Sequence, residues 1–270
     1  MHHFVTDETN KNPVSGQFFI YGGLVVTEDQ LVAVHKAVAT IRTKYGYRAG
    51  DSFKFNTKSK PDHITPAVSR AAKQELVEQL HAIGVRMIVY VILHDIAAKK
   101  TASEVMNYAL NTVAARYHRM LQIEDAMGTM TIDRSDDQHG HLTNLFQYGI
   151  TIGEWSMPLD DRITSFSMTA DNSTHLSSAV DIALGAFRYC VNAAGGDGSE
   201  VVAADIFSPL AQVIWGVEVD GVKHLGGYGY IKRPEDVRAP SYAEKYSHLA
   251  GKLDKYSGGT AEERKQAPAA

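Results

Sequence analysis

His3-Phe4-Val5-Thr6-Asp7-Glu8-Thr9, then Asn10-Lys11-Asn12-Pro13, then Gln17-Phe18-Phe19-Ile20-Tyr21-Gly22-Gly23-Leu24-Val25-Val26: the fold of this chain turns on how this stretch is read. The first part is a short apolar run that ends in two adjacent carboxylates. The second is polar and turn-prone. The third is almost wholly apolar, as a strand buried on both faces is. The spacing predicts a β-hairpin near the N-terminus. Gly22-Gly23 inside the second strand points to a bulge or a close backbone approach. Asp7 falls where a central strand ends. A carboxylate there is costly to desolvate unless a cation or a hydrogen-bond donor meets it.

Working outward, Thr27-Glu28-Asp29-Gln30 opens a helix, with Thr27 as cap, Gln30 closing a capping box, and two acids at the positive end of the dipole. Leu31, Val34, Val38 and Ile41 form its buried stripe. Asp51-Ser52-Phe53-Lys54-Phe55-Asn56 alternates in a way that predicts a short strand, with Lys54 opposite the two phenylalanines. Thr65-Pro66 starts a helix that Gly84 ends. Val85 to Leu93 is the strongest strand signal and is expected to be central. Thr101-x-x-Glu104 caps a long helix running to about Met127, with Gly128 as its stop. Thr129 to Asp133 is a strand that again ends in a carboxylate, and Arg162 to Met168 is another. A helix is expected from about His175 to Asn192, broken by Gly195-Gly196, with Asp181 one to two turns inside it. Val213 to Leu225 reads as a hairpin around Asp220-Gly221 in a type I′ turn, and Ser241 to Leu253 as a helix. The expected organisation is a main domain over 1–196, a hairpin and helix over 197–254 appended to that same domain, and a tail over 255–270 without a packed core. Strands alternating with helices make the fold class α/β, a mixed sheet flanked by helices.

Composition narrows the function classes. With 270 residues, 44% of them hydrophobic, the chain is long enough to bury one large core. A net charge of −4 gives no global basic field, although local basic loops such as Arg42 to Lys60 remain. A lone cysteine, Cys190, excludes an intramolecular disulfide framework and fits a reducing cytoplasm. No apolar run reaches the roughly 18 residues of a membrane span, and the N-terminus lacks the pattern of a secretory signal. The expected localisation is therefore cytoplasmic, with no membrane partner.

The chemistry lies in the carboxylates. Asp7 and Glu8 end the first strand, Asp133 ends a later one, and Asp181 sits in an otherwise apolar helix. If the two strands are neighbours, their ends lie about 5 Å apart, and a helix packed across them brings Asp181 in. Convergent carboxylates repel unless a divalent cation sits among them. Hard oxygen ligands suit Mg²⁺ or Mn²⁺, and two such ions about 4 Å apart serve phosphodiester hydrolysis. Strand alternation directs Glu8 away from Asp7, towards a supporting role.

The chain resembles domain-of-unknown-function family 3800 over roughly residues 3 to 194. The resemblance is carried by Asp7-Glu8-Thr9-Asn10 with the small-residue strand Ile20 to Val26, by Ile132-Asp133-Arg134, and by Ser177 to Ala186 around Asp181. It implies a ribonuclease H-like fold, Asp7, Asp133 and Asp181 as metal-holding catalytic residues, Lys54 as a phosphate-binding catalytic residue, and nucleic acid, DNA or RNA, as partner. The family's acid two residues before the lysine has Ser52 in its place here, with Asp51 adjacent as a possible additional ligand, and Ser178 stands near the family's helix glutamine.

Other features read as structural. Asp136 and Asp137 belong to a solvated loop, His139, His141 and His175 to the surface, and Cys190 to the core. Neither Gly22-Gly23 nor Gly195-Gly196 is a phosphate loop, and no serine has a nucleophile-elbow context. Two functions of different class follow: a two-metal phosphodiester hydrolase, and a catalytically degenerate ribonuclease H-like module that binds nucleic acid or a protein partner. A small phosphorylated molecule as the substrate is a third.

Overall fold

The hairpin forms as the first stretch dictates. In the computed structural model, which describes residues 1–134, 136–152, 155–170 and 174–258, β1 (His2–Thr9) pairs antiparallel with β2 (Phe18–Thr27). The ladder runs without a bulge. Instead, Gly22 and Gly23 allow close backbone approach: a Cβ would lie 2.2 Å from Ile88 O at Gly22 and 1.8 Å from Val5 O at Gly23.

The remaining strands complete a mixed α/β sheet. β3 (Arg86–Leu93) pairs antiparallel with β2, and β4 (Gly128–Asp133) runs parallel to β1. β5 (Ile150–Ile152) and β6 (Trp155–Met157) form a separate small ribbon, and β7 (Ile163–Thr169) runs parallel to β4. β8 (Val217–Val219) and β9 (Val222–His224) make the expected hairpin, with positive φ at both Asp220 and Gly221 as a type I′ turn needs. β10 (Tyr230–Arg233) adds to the main sheet parallel to β3, giving the order β10-β3-β2-β1-β4-β7.

Helices cover both faces. α1 (Glu28–Lys44) and α2 (Pro66–Ile83) start at the caps read from sequence, Thr27 with Gln30 and Thr65 with Pro66, and α2 stops at a left-handed Gly84. α3 (His94–Ala97) is one turn, followed by α4 (Ala102–Ile123), α5 (His139–Tyr148) and α6 (His175–Ala194). α7 (Glu200–Val213) and α8 (Pro240–Tyr256) close the chain. One core packs α1, α2, α6, α7 and α8 on Phe18, Ile20, Leu24, Val26 and Val89. The other packs α4 and α5 on Phe4, Phe19, Tyr21, Val25 and Tyr90. β2 and β3 thus supply both cores by alternation. Among the described residues, no helix is long and apolar enough to cross a membrane.

Four expectations are corrected. Residues 51–56 form no strand; Phe53 is buried against Tyr47 while the segment lies outside every ladder. α4 ends at Ile123 rather than Met127, because Asp125 takes φ 46° and Ala126 N–H turns back to Leu121 O. Gly128 begins β4, where a Cβ would lie 1.9 Å from the Tyr117 hydroxyl. The C-terminal region packs with the rest: α7 lies in the first core and β10 extends the main sheet. Of the expected tail, 255–256 belong to α8, and 259–270 lie outside the described residues.

Candidate functional site

The parallel ladder between β1 and β4 decides the geometry. Its last rung pairs Thr6 with Ile132. Asp7 and Asp133 are the next residues in line, so they stand side by side where the two neighbouring strands part, Asp7 still paired with Gly22 of β2 and Asp133 with Thr169 of β7. Thr6 is held below them by the Tyr21 hydroxyl at 2.7 Å.

α6 lies across β1 and β2 and brings Asp181 to this end. Asp7, Asp133, Lys54 and Asp181 line one small cleft, together with Ser177 and Ser178. Its volume of about 20 Å³ admits a guest of water or ion size. The Phe55 N–H donates to Asp181 Oδ2 at 2.6 Å, and the buried Lys73 Nζ donates to Phe55 O at 2.7 Å. Gly185 makes that approach possible, because a Cβ there would lie 2.3 Å from Phe55 Cβ. The segment carrying Lys54 is thereby strapped to α6 without forming a strand.

Glu8 departs from its expected position. Alternation places its Cβ with Phe4 and Thr6, yet its carboxylate joins those of Asp7 and Asp133, with one oxygen from each within 4.8 Å of the others. Past the Thr6 rung β4 no longer pairs with β1, so the longer glutamate side chain reaches round the strand end. Lys11 pairs with Glu8 across the turn that Asn10 makes at φ 57°. Asn10 is itself fixed, its Nδ2 donating to Phe18 O at 3.0 Å and Asn192 Oδ1 at 3.2 Å.

The electrostatics match the crowding. Burial, then the field of Glu8 and further those of Asp133 and Asp181, push Asp7 up to about 7, against the lowering effect of the Glu8 N–H donated to its Oδ1 at 2.7 Å. Burial also raises Glu8, with Lys11 opposing it. Burial alone lowers Lys11, but its bond to Glu8 and the surrounding carboxylates carry it above its ordinary value. Burial pulls Lys73 down to about 8, with Asp181 resisting. Three oxygen ligands within 4.8 Å, one of them protonating near neutrality, form a donor set that fits a hard divalent cation.

The other candidates disperse. Asp51 does not line the cleft; its carboxylate accepts the Arg48 N–H at 2.5 Å and faces His63 Nε2 at 3.2 Å. His141 meets Asn111 of α4 at 2.6 Å, and His175 Nδ1 lies 3.2 Å from the His35 carbonyl. Cys190 is buried and its thiol is pushed up by burial, as a core residue. Asp137 is exposed, and the side chain of Asp136 lies outside the described residues. Two residues missed in sequence matter here. Lys11 was legible as a basic residue three places after Glu8; Lys73 gave no signal, because its burial depends on the packing of α2 beside residues 53–56. No family model, curated protein or solved structure matches the chain.

Proposed function

We propose that the protein is a divalent-metal-dependent phosphodiester hydrolase acting on nucleic acid, of the ribonuclease H-like type implied by its resemblance to family 3800. The observation that carries this reading is the convergence of Asp7, Glu8 and Asp133 at the end of two paired strands, with Asp181 and Lys54 lining the same cleft. The resemblance implies acids at the first strand end, the Ile-Asp strand end and the late helix, and those three positions share one cleft here. The mixed sheet order is compatible with the same reading.

Asp7, Glu8 and Asp133 would hold Mg²⁺ or Mn²⁺, with Asp181 as a further carboxylate. When bound, such ions supply Lewis acidity and an activated water for attack at phosphorus. The chain's own residues do the placing. Lys54 orients a phosphate oxygen at the cleft, Lys11 balances Glu8, and the Phe55 amide fixes the Asp181 rotamer. Basic side chains between Arg42 and Lys60 contribute salt-dependent backbone contacts.

The engagement of Asp51 by Arg48 and His63 favours a second reading. With Ser52 in the family's acid position, the protein would be a binding module without cleavage. Labelled single-stranded, duplex and RNA–DNA hybrid substrates, incubated with Mg²⁺, Mn²⁺ or EDTA, separate the two. The hydrolase reading expects metal-dependent cleavage that Asp7→Asn and Asp133→Asn each abolish. Cleavage surviving both substitutions removes it, and salt-sensitive binding without cleavage selects the module.

A further inference from the structure

A larger cleft, of about 410 Å³, opens beside the carboxylates. Lys11 belongs to both places, since it pairs with Glu8 and also lines this cleft. The volume lies within the range of about 300–1,000 Å³ typical of small-molecule sites. Val14, Phe19, Val105 and Met106 give it an apolar wall. Facing that surface is Gln138, only 2% exposed. Its Nε2 donates to Ser103 Oγ at 3.4 Å, while Oε1 is buried without a hydrogen-bond partner among the described residues. Turning the amide over exchanges its two ends and leaves the nitrogen unpartnered instead. In either orientation a buried polar atom of a residue that lines the cleft has nothing to bond, a costly arrangement that a ligand's polar edge relieves once the amide turns towards the cleft.

The charges facing the cleft come from several elements. Lys11 and Lys100 are cationic, while Asp95 and Asp137 are anionic. Asp95 is already satisfied by Ser15 Oγ at 2.6 Å and Gly16 N–H at 2.7 Å. Burial lowers the pKa of His94, whose Nε2 lies 2.9 Å from the Asn10 carbonyl. The balance of signs disfavours a polyanion. It suits a flat, mostly apolar group with a donor–acceptor edge, attached to something negative near Lys11.

We propose that this cleft is a nucleobase subsite. It takes the base next to the phosphate at the carboxylates, Gln138 bonds the base edge, and Lys11 stands between base and phosphate. Carboxamides pair with base edges in this way, adenine above all. The proposal rests on the nucleic-acid reading of the carboxylate site.

The test is a set of titrations in EDTA on the full chain. The probes are the adenine, guanine, cytosine and uracil nucleoside 5′-monophosphates, ribose 5-phosphate, and a short single-stranded oligonucleotide. The expected result is that one base binds more tightly than the others and than ribose 5-phosphate. Gln138→Leu, which keeps the volume and removes the amide, should weaken that base by roughly 5- to 150-fold and level the preference. Met106→Trp, which fills the cleft and keeps the Gln138 amide in the chain, should weaken every base and spare ribose 5-phosphate. A monophosphate as tight as the oligonucleotide still supports the subsite and makes a free nucleotide its source. Absent or base-blind binding by the wild type overturns the proposal. So does an unchanged preference in Gln138→Leu and Met106→Trp variants that unfold at the wild-type temperature. Cleavage in Mn²⁺ is measured separately. Base-selective binding without cleavage keeps the subsite and removes the hydrolase reading, and cleavage with base-blind binding does the reverse.

Discussion

Replacing Asp7 by Asn should make the metal-free protein more stable while abolishing its stabilisation by metal. Asn keeps the acceptor that the Glu8 N–H meets at 2.7 Å, so the charge is removed and the hydrogen bond retained. The rise of Asp7 from its ordinary 3.8 to about 7 sets the scale. At about 1.4 kcal/mol per pH unit, ionising Asp7 in the fold costs at most about 4 kcal/mol. Relaxation of the strand end and water at the cleft reduce this, so the expected gain is about 1–2 kcal/mol, or roughly 2–8 °C in Tm. The sign follows from linkage. A carboxyl raised in the folded state contributes stability in full below its unfolded value and loses it as the pH rises through its folded one. The wild type should therefore lose stability between about pH 4 and pH 7 relative to the variant, whose advantage is largest above neutrality and vanishes near pH 4. Thermal unfolding in EDTA across that range checks this. Saturating Mn²⁺ reverses the order: at a hundredfold excess over Kd it stabilises the wild type by about 2.7 kcal/mol and the variant far less. A variant less stable than wild type in EDTA at every pH, or one that gains equally from Mn²⁺, would refute the reasoning.

Four further outcomes are expected. Asp181→Asn keeps an acceptor for the Phe55 amide and should fold normally while losing at least about a hundredfold in cleavage. Asp181→Ala should in addition speed hydrogen exchange at Phe55 and cost about 1–3 kcal/mol in urea unfolding. Gly185→Ala drives a methyl into Phe55 and should cost about 1–3 kcal/mol, with metal-dependent cleavage falling as the Lys54 segment lifts from α6. Asp51→Ala should leave cleavage within about twofold and cost about 1 kcal/mol of stability through the lost Arg48 and His63 contacts, since it stands outside the cleft. A large loss of activity there, with stability unchanged, would return Asp51 to the metal site.

The local signals in the sequence were sufficient wherever one residue's chemistry decides the backbone. The capping boxes at Thr27 and Thr101, Pro66 at a helix start, the Gly84 stop and the Asp220-Gly221 turn all formed as read, because each depends on neighbours within a few residues. The α/β class followed from the same periodicities. The α4 terminus was misread because a non-glycine residue, Asp125, took the left-handed conformation. The sequence of α7 gives no clean helix signal, because Pro209 lies inside it. The Lys54 segment was misread as a strand because alternation also describes an extended chain strapped to a helix.

Of the candidate site, the sequence by itself determined which residues carry charge and that Asp133 ends a strand, while β1 runs on past Asp7 to Thr9. Only the tertiary structure decided that these strands are parallel neighbours with their last shared rung just below the acids. It also turned Glu8 inward, set Asp51 against Arg48 and His63, and buried Lys73 beneath Phe55. The physical reason is range. Caps and turns are settled by hydrogen bonds between residues close in sequence, whereas the meeting of Asp7 with Asp133 and Asp181 depends on which strand pairs with which and how closely a helix packs across them. Gly185 sets how closely the Lys54 segment approaches α6, and nothing in the local sequence announces that role.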